Sequence, residues 1–397
     1  MTAVARPAHV PDDLVRPFSL DFRGPLDELF PRLDALRHEG RVVWVPVGSG
    51  LGGVRGAWLL THAEDIRHAL QHPELFSSAL GGGTGGIPEM IPLLLDPPDH
   101  TAYRRLLNPL FSPGVLAAME DGIRGRIHDL VAELAPRGRC DFVADVAVQF
   151  PTRVFTAWVG LPEEDTGRFV AMVSALIHGT DDDGARRAAL GDMLVVLDGL
   201  VAERMAAPAD DLVSRIAALE LDGRRLDHDE LMRITFLLFL AGLDTVAAAL
   251  SFAFAHLAQV PADRAAIASG AVPVAQAVEE LLRRHSFINL PRAVARDVEF
   301  AGVSLRAGDP VLIPLALASR DPAEYPRAED VELTRDGPRH YAFGLGPHRC
   351  IGSHLARVEM RVALDEWHTR IPDYRLAGKA SAYAGTVMGL TSLPLAW

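Results

Sequence analysis

The chain has 397 residues, 49% of them hydrophobic, and its formal net charge is −13. This composition supports a large folded core and excludes broad disorder, while the acidic balance argues against nucleic acid or an anionic membrane surface as the main partner. Two cysteines cannot form a disulfide framework, and residues 1–22 lack the apolar stretch of a secretion signal, so we expect a cytoplasmic protein.

The first predicted elements follow an N-terminal arm, residues 1–25, that we expect to be irregular. Residues 41–47 and 54–60 are typical of strands and flank a glycine-rich string at 48–53. That string has the G-x-G-x-x-G form of a dinucleotide-binding turn, which would suggest a nicotinamide dehydrogenase, but such a turn requires a helix after its glycines. Because a strand follows here, a hairpin is the better interpretation.

A second glycine cluster, at residues 81–86, lacks the Lys-Ser/Thr pair of a phosphate-binding loop. We interpret it as a flexible surface loop, a kind of segment that often gates access to a substrate. From about residue 113 to 270 the pattern is mainly helical.

A long apolar helix is predicted from about residue 227 to 260. Asp227 and Glu230 have the spacing of a capping box at its start, and a proline follows its end. Residues 236–255 are almost wholly apolar and long enough to cross a bilayer, but Asp244 lies at their centre and no basic cluster or Trp/Tyr belt flanks them. We therefore favour the buried central helix of a large protein, roughly 50 Å long, over a membrane span.

Short strands return at residues 298–313, with a turn at 307–309, and a last long helix is predicted from Ser353 to about Arg370. We find no repeat, low-complexity tract or linker that divides the sequence. The sequence therefore predicts one domain over residues 1–397, mainly α-helical with small β-sheets.

Cys350 lies in the segment 343–352, which reads Phe-Gly-Leu-Gly-Pro-His-Arg-Cys-Ile-Gly. Glycine lets a backbone approach a ligand closely, and the N-terminus of the following helix favours thiolate over thiol. Since the thiolate is the form that binds metal, the segment is typical of a cysteine held ionised against an iron. An arbitrary cysteine is more often a small buried hydrophobe, but the glycines around this one favour metal ligation.

This segment resembles the haem-ligand loop of the cytochrome P-450 family, Phe-Gly-x-Gly-x-His-x-Cys-x-Gly, and matches every specified position. The resemblance implies that Cys350 is the axial iron ligand of haem b, on the face away from oxygen, and that its thiolate favours O–O cleavage. It also implies cofactor contacts for Phe343, Gly344, Gly346 and Gly352. The implied fold is the cytochrome P-450 fold, with haem between the long central helix and the cysteine loop. The resemblance extends from about residue 40 to the C-terminus and is closest to the soluble bacterial branch that includes the camphor hydroxylase.

A second motif, Ala241-Gly242-Leu243-Asp244-Thr245, lies midway along the apolar helix. The small Ala241 and Gly242 leave room for a ligand against the helix, and the Thr245 hydroxyl can distort its hydrogen-bond ladder. A satisfied threonine beside a salt-bridged aspartate is the alternative interpretation. The string matches the family's Ala/Gly-Gly-x-Asp/Glu-Thr motif, which implies that Asp244 and Thr245 deliver protons to bound dioxygen through water, with Ala241 against the haem.

The two haem propionates need cationic or hydrogen-bonding partners. His100 and Arg104 lie four apart on a helix predicted after Pro97-Pro98 and resemble the family's His-x-x-x-Arg segment, although alone they would read as a solvated basic helix face. Arg292 and His348 match further propionate-binding positions of the family. Arginine suits carboxylates because its planar fork can bind both oxygens.

Glu280 and Arg283 are three residues apart and therefore share one face of a predicted helix. Alone this is a weak signal, since most such pairs are solvated surface contacts. The pair resembles the family's Glu-x-x-Arg, which is structural and supports the cysteine loop, often with a further arginine. Arg335 is the candidate for that third member. We assign these three residues to folding and haem retention.

The residues that the resemblance places around the substrate are nearly all apolar, which indicates a compact apolar substrate, terpenoid-like in shape. Each of them could instead belong to the core. They are Met90, Leu237, Leu240, Ala241, Ile288, Thr386 and Val387.

The resemblance implies a monooxygenase that inserts one oxygen atom from O2 into this substrate. Electrons would come from NAD(P)H through a reductase and a separate ferredoxin, which would dock near Arg104, Arg105 and the cysteine loop. Epoxidation, dealkylation and C–C coupling use the same machinery and remain alternatives. A non-catalytic haem sensor or carrier is a further alternative, but it would gain nothing from Asp244 and Thr245.

Overall fold

The computed structural model describes residues 6–46, 56–80, 88–175, 183–337 and 339–397. The chain divides into two compact units. The first unit comprises Met1–Gly81, Ala248–Cys350 and Pro372–Trp397, and the second comprises Gly82–Ala247 and Ile351–Ile371.

The described residues include α-helices with the following bounds: α1 Leu26–Leu36, α2 Ala63–Gln71, α3 Asp99–Leu107, α4 Pro113–Ala117, α5 Glu120–Leu134, α6 Gln149–Val159, α7 Thr166–Ser174, α8 Asp183–Ala206, α9 Leu212–Ala217, α10 His228–Gln259, α11 Pro261–Ala268, α12 Val274–Arg284, α13 Leu315–Ser319 and α14 Ser353–Arg370. The β-strands are β1 Phe22–Pro25, β2 Val42–Pro46, β3 Gly56–Leu60, β4 Phe76–Ser77, β5 Arg139–Asp141, β6 Glu220–Leu221, β7 Arg224–Arg225, β8 Asn289–Val294, β9 Val298–Phe300, β10 Val303–Leu305, β11 Pro310–Pro314, β12 Arg375–Leu376, β13 Ser381–Ala384, β14 Gly389–Ser392 and β15 Pro394–Ala396. The prediction of a mainly helical chain with small sheets is confirmed.

The first unit is organised around a five-stranded sheet of order β2-β3-β11-β8-β4. Strands β2 and β3 pair antiparallel, with Trp44 opposite Trp58, as the predicted hairpin requires. The glycine string predicted to join them, at 48–53, lies outside the described residues, as does the glycine cluster at 81–86. Strand β11 pairs parallel to β3 and antiparallel to β8, and β8 also pairs antiparallel with β4, which places β8 inside the sheet.

Smaller sheets complete the first unit. Within the segment expected to be irregular, β1 pairs antiparallel with β13, and β13 pairs with β14. Strands β9 and β10 form a hairpin, and a turn at residues 307–309 leads into β11, so the strands predicted between residues 298 and 313 are present.

The second unit is built mainly from helices, with the short antiparallel pair β6 and β7. Helix α14 begins at Ser353 and ends at Arg370, as predicted, and it packs on α5. Arg124 of α5 binds Glu366 of α14 at 2.9 Å, and Arg361 of α14 reaches back to Glu120 at 3.0 Å. These reciprocal ion pairs hold the two helices in register.

Helix α10 runs from His228 to Gln259, 32 residues and about 48 Å at the usual rise. Its predicted capping box is present: Asp227 N–H donates to Glu230 Oε2 at 2.8 Å and Glu230 N–H donates to Asp227 Oδ1 at 2.8 Å. Among the described residues, α10 is the helix whose length and composition would suit a membrane span, but 78% of its apolar window is buried inside the protein. Protein covers most of its apolar surface, as in a core helix.

Candidate functional site

The cysteine loop of the first unit folds back on itself through backbone hydrogen bonds. Cys350 N–H donates to the Phe343 carbonyl at 2.8 Å, Gly344 N–H to the Tyr341 carbonyl at 2.8 Å, and Arg349 N–H to the Gly346 carbonyl at 3.1 Å. Cys350 itself is exposed at the end of this loop. The loop therefore holds the backbone of the cysteine while it leaves the thiol accessible.

Glycine is required at positions 344 and 346 of the loop by the backbone conformation, and at 346 also by close packing. Gly344 and Gly346 have φ of +65° and +69°, a region that side chains other than glycine rarely adopt. At Gly346 a Cβ would also collide with the carbonyl group of Leu70, at the end of α2, where the carbonyl carbon would lie 3.1 Å away. The loop packs directly against a helix backbone, and only glycine permits this approach.

Further predicted residues lie in β8 and in or just after the cysteine loop. Arg292 is buried in this strand opposite Val311, and its Nη1 donates to the Pro291 carbonyl at 2.7 Å. His348 and Gly352 are partly buried in and just after the cysteine loop. A guanidinium keeps its charge under all ordinary conditions, so Arg292 can serve a carboxylate ligand.

The structure brings together three of the residues predicted to contact substrate. Ile288 forms a β-bridge with Val387, and the N–H of the following Asn289 donates to the Thr386 carbonyl at 2.8 Å. These contacts join the start of β8 to the segment before β14.

Glu280, Arg283 and Arg335 also meet, and the first two are fully buried. Arg283 Nε and Nη2 donate to the two Glu280 carboxylate oxygens at 2.8 and 2.9 Å. Arg335 Nε lies 3.2 Å from both of those oxygens, and Glu332 N–H donates to Oε1 at 2.8 Å. One carboxylate therefore gathers donors from α12 and from the irregular segment that precedes the cysteine loop.

Neighbouring oxygen atoms accept hydrogen bonds from every N–H group of the Arg283 guanidinium. Besides Glu280, its guanidinium donates to the carbonyls of Ser319, Ala328 and Asp330 at 2.9, 2.8 and 2.6 Å. Arginine has five N–H donors, and the five contacts account for all of them. A buried charge is tolerated when it is fully hydrogen-bonded in this way.

In the second unit, one face of α10 is accessible along part of its length. Leu237, Leu240 and Thr245 are partly exposed and Ala241 is exposed, whereas every residue of 246–255 is buried. The accessible positions are i, i+3, i+4 and i+8, so they share one side of the helix. Leu237, Leu240 and Ala241 are three of the predicted substrate or cofactor contacts, and the structure places them on this face together with Thr245.

Asp244 and Thr245 lie within an uninterrupted stretch of α10. Thr245 Oγ1 donates to the Ala241 carbonyl at 2.9 Å, and the Asp244 side chain is buried. This is the i−4 bond through which a hydroxyl can bend a helix, so the expectation that Thr245 distorts the hydrogen-bond ladder stays a prediction.

Gly242 differs from its sequence interpretation. We expected it, with Ala241, to leave room for a ligand, but a Cβ at Gly242 would lie 2.6 Å from Cδ2 of Phe155. The direction that a side chain would take is therefore occupied by a ring from α6. Sequence spacing could not reveal this, because Phe155 is 87 residues away in the chain (242 − 155).

His100 and Arg104 lie on α3, which begins just after Pro97-Pro98 as predicted. His100 is buried, and Arg104 is partly buried with its Nε donating to Asn108 Oδ1 at 2.9 Å. The four-residue spacing places both on one side of the helix. Met90, the remaining predicted substrate contact, lies ahead of α3, where its carbonyl accepts the Leu94 N–H at 2.9 Å.

A hydrogen-bonded network that the sequence did not predict anchors α3. Tyr103, between His100 and Arg104, donates its hydroxyl to Glu230 Oε1 at 2.6 Å. Arg224 of β7 binds the same carboxylate at 2.6 and 2.7 Å. Hydrogen bonds from Arg224, and then from Tyr103, lower the pKa of Glu230 to about 2 against the opposing effect of burial. The capping-box spacing identified Glu230 as a helix cap, but nothing local pointed to its two distant partners.

The donor chemistry fits a metal that brings most of its own ligands. Among the described residues, no group of three or more His, Cys, Asp and Glu side chains could hold a metal ion. An exposed Cys350 can supply one thiolate. The predicted partners of carboxylate groups are Arg104, Arg292, His100 and His348, whose N–H groups can donate hydrogen bonds. Haem fits this description, because its four ring nitrogens bind the iron and its two propionates are the carboxylates.

Comparison with known proteins extends this likeness from the loop to the whole chain. Residues 272–366 match the family model described as cytochrome P-450. The chain is 37% identical over 403 residues to Probable cytochrome P-450 127A1 of Sinorhizobium fredii, with 98% of this chain and 96% of that protein covered. It is 32% identical to Vitamin D(3) 25-hydroxylase of Pseudonocardia autotrophica, with 87% of each covered.

Solved structures agree with the sequence relatives. The crystal structure of CYP101J2 is similar to this chain over 99% of both, at 31% identity and a TM-score of 0.89. That of CYP101C1 gives 32% identity and a TM-score of 0.88, with 99% of this chain and 100% of that one covered. The similarity therefore includes the helical second unit as well as the cysteine loop.

Proposed function

Since the chain belongs to the cytochrome P-450 family and is a monooxygenase, we propose that it inserts one oxygen atom from O2 into a small apolar, terpenoid-like substrate, with electrons from a separate ferredoxin. The observation that carries this proposal is the exposed Cys350 at the end of a loop whose backbone bonds to itself. A thiol held in this way is available to an iron.

Cys350 would hold the haem iron, and Phe343, Gly344, Gly346 and Gly352 would shape the loop around it. The propionates would be held by His100 and Arg104 of α3, Arg292 of β8 and His348. When bound, haem supplies the redox chemistry that activates O2. Glu280, Arg283 and Arg335 would act on this site indirectly, by fixing the segment that precedes the loop.

Thr245 and Asp244 would deliver protons to bound dioxygen through water. The Thr245 hydroxyl donates to the Ala241 carbonyl and can accept a hydrogen bond from water at the same oxygen. It lies on the accessible face of α10, so a water can reach it, and the neighbouring Asp244 side chain, once it has taken up a proton from solvent, can replace the proton that this water gives up.

The substrate class follows from the accessible side chains. Leu237, Leu240 and Ala241 offer an apolar surface on α10. In the first unit, Ile288 and Val387 add apolar groups beside the Thr386 backbone. Apolar side chains of this kind favour a hydrocarbon-rich molecule over a charged one.

The electron donor would be an acidic ferredoxin that docks on basic side chains. Arg104 and Arg105 of α3 are candidates, and Arg105 is exposed. Electrostatic complementarity of this kind speeds encounter and is weakened by salt. A cytoplasmic location agrees with such a donor and is part of the proposal.

The test uses the two cysteines as a matched pair. In the reduced, carbon-monoxide-bound protein we expect the strongly red-shifted Soret band of a thiolate-ligated haem. Cys350→Ser should abolish this band, whereas Cys140→Ser should retain it, because burial raises the pKa of the Cys140 thiol to about 12 and keeps it protonated. Loss of the band in Cys140→Ser alone, or its survival in Cys350→Ser, would refute the assignment.

A second measurement separates an enzyme from a haem carrier. With a ferredoxin, its reductase and NAD(P)H, oxygen consumption should rise on addition of a terpenoid that also changes the spin state in the absorption spectrum. A panel of small terpenoids and of charged analogues of the same size serves for both measurements. Spin-state change with the charged analogues only would contradict the proposed substrate class.

A further inference from the structure

The ring of Phe155 occupies the space where a side chain at position 242 would begin. A Cβ built there would lie 2.6, 2.8 and 3.0 Å from Cδ2, Cε2 and Cγ of Phe155. Contacts below 3.0 Å require something to move, and the two contacts below that limit, with Cδ2 and Cε2, lie along one edge of the ring. A small change at the tip of the phenylalanine would therefore not relieve the collision.

Phe155 has little freedom to move away. It is 3% exposed, and its ring makes an edge contact with Phe239 of α10 at 6.1 Å between centroids. Phe239 makes a second edge contact with Phe169 of α7, at 5.4 Å. Three buried rings from α6, α10 and α7 thus pack in a row, and close-packed interiors of this kind transmit a displacement.

Gly242 and Ala241 are small for different reasons. Ala241 is exposed on the accessible face of α10, where its carbonyl accepts the Thr245 hydroxyl. Successive helix residues point about 100° apart, so the direction of a Gly242 side chain differs from that of Ala241. The ring of Phe155 occupies that second direction, beside the segment that carries Thr245.

We propose that Phe155 is a positioning residue: its contact with Gly242 sets how closely α10 approaches α6 and so fixes the Ala241–Thr245 segment for proton delivery. This inference rests on the proposed function, because the consequence for catalysis requires Thr245 to act on protons. The packing that it depends on is independent of that role.

The test is a size exchange between the two helices, made in the haem-containing protein. Gly242→Ala should lower the thermal unfolding midpoint by a few degrees, perturb the resting absorption spectrum and raise the share of electrons lost to peroxide. Adding Phe155→Leu to it should recover all three, because leucine lacks Cε2 and can rotate its Cδ carbons away from the new methyl group, which removes both contacts below 3.0 Å. Each outcome is compared with Phe155→Leu alone.

Gly125 of α5 is the matched control, because a Cβ there would meet nothing within 4 Å. Alanine is the better helix former, so Gly125→Ala should raise the midpoint slightly and leave the spectrum unchanged. Should Gly242→Ala alone fail to fold, the comparison remains within the Phe155→Leu background, where adding Gly242→Ala should behave like the control.

The proposal fails if Gly242→Ala behaves like Gly125→Ala in the wild-type background, or if Phe155→Leu does not rescue it. Recovery of the midpoint without recovery of the peroxide share would also overturn it, since Phe155 would then only pack. A histidine-type Soret band in the wild-type protein would instead refute the proposed function, and the midpoints would still report on the packing.

Discussion

Two polar regions of this chain, the buried one around Glu280 and the partly exposed one in the middle of α10, are built in opposite ways. Around Glu280, the five donors of Arg283 are matched by five acceptors that come from α12, α13 and the segment after α13. In the middle of α10, the bond of the Thr245 hydroxyl goes to a carbonyl of its own helix.

The difference separates a structural role from a chemical one. Polar groups that are matched by distant partners join segments of the chain, and removing one leaves the others buried without compensation. A polar group with a local bond beside an accessible face can exchange that bond for water or ligand at little cost to the fold. Function is thus expected where the hydrogen bonding is local, and stability where it is distant.

The largest effect should come from Arg283→Lys. An ammonium cannot reach Glu280 and the carbonyls of Ser319 and Ala328 at once. Breaking a buried charge cluster of this kind costs about 3–5 kcal/mol, and we expect that loss in urea unfolding. Arg215→Lys is the control, because the Arg215–Asp210 pair is exposed and should contribute less than about 1 kcal/mol. An equal loss of unfolding free energy in both variants would contradict the structural role of the Glu280 region.

An intermediate effect is expected at Glu230, which is saturated like Glu280 but lies on α10 itself. Its pKa is lowered to about 2 by Arg224 and Tyr103. A lowered carboxyl pKa contributes stability that is present above the unfolded-state value, about 4.5, and is lost as the pH falls toward 2. Glu230→Gln should therefore cost about 1–2 kcal/mol near neutral pH, and the difference in unfolding free energy from wild type should narrow as the pH falls from about 4.5 toward 2, the two pKa values of Glu230.

Urea unfolding at several pH values measures this gap. Asp210→Asn is the matched control, since the Asp210 carboxylate is 92% exposed. A gap between wild type and Glu230→Gln that stays constant with pH would show that the Glu230 charge does not stabilise the fold.

The smallest effect on stability should come from Thr245→Ala. One local hydroxyl bond is lost from an accessible position, so the free energy of unfolding should change by less than about 1 kcal/mol. Yet the share of electrons that ends as peroxide should rise sharply, while Thr245→Ser, which keeps the hydroxyl, should stay close to wild type. Unchanged coupling in the alanine variant would remove Thr245 from proton delivery.

Features that depend on local pattern were predictable from the sequence. The capping box, the apolar run and the following proline predicted α10 within a residue or two, and α14 was predicted with its observed bounds. The spacing of Glu280 and Arg283 predicted one helix face, and the family resemblance added Arg335. In each case neighbouring residues carry the information.

Contacts between distant elements were not predictable in this way. Nothing near Gly242 indicates that a ring from α6 lies against it, and nothing near Tyr103 indicates a carboxylate on α10. Gly346 was assigned to the cofactor by resemblance, yet its immediate constraint is the backbone of α2. Such contacts depend on how whole helices pack, which a single sequence does not specify residue by residue.

The neighbouring positions 241 and 242 carry a practical lesson for redesigning this protein. Randomising Leu237, Leu240 and Ala241 together varies a surface that tolerates variation, because these side chains are already accessible. Including Gly242 in the same library would introduce side chains that collide with Phe155 and destabilise the fold, unless Phe155 is varied with it. Broader substrate range should therefore be sought with the glycine kept, although the two residues look interchangeable in the printed sequence.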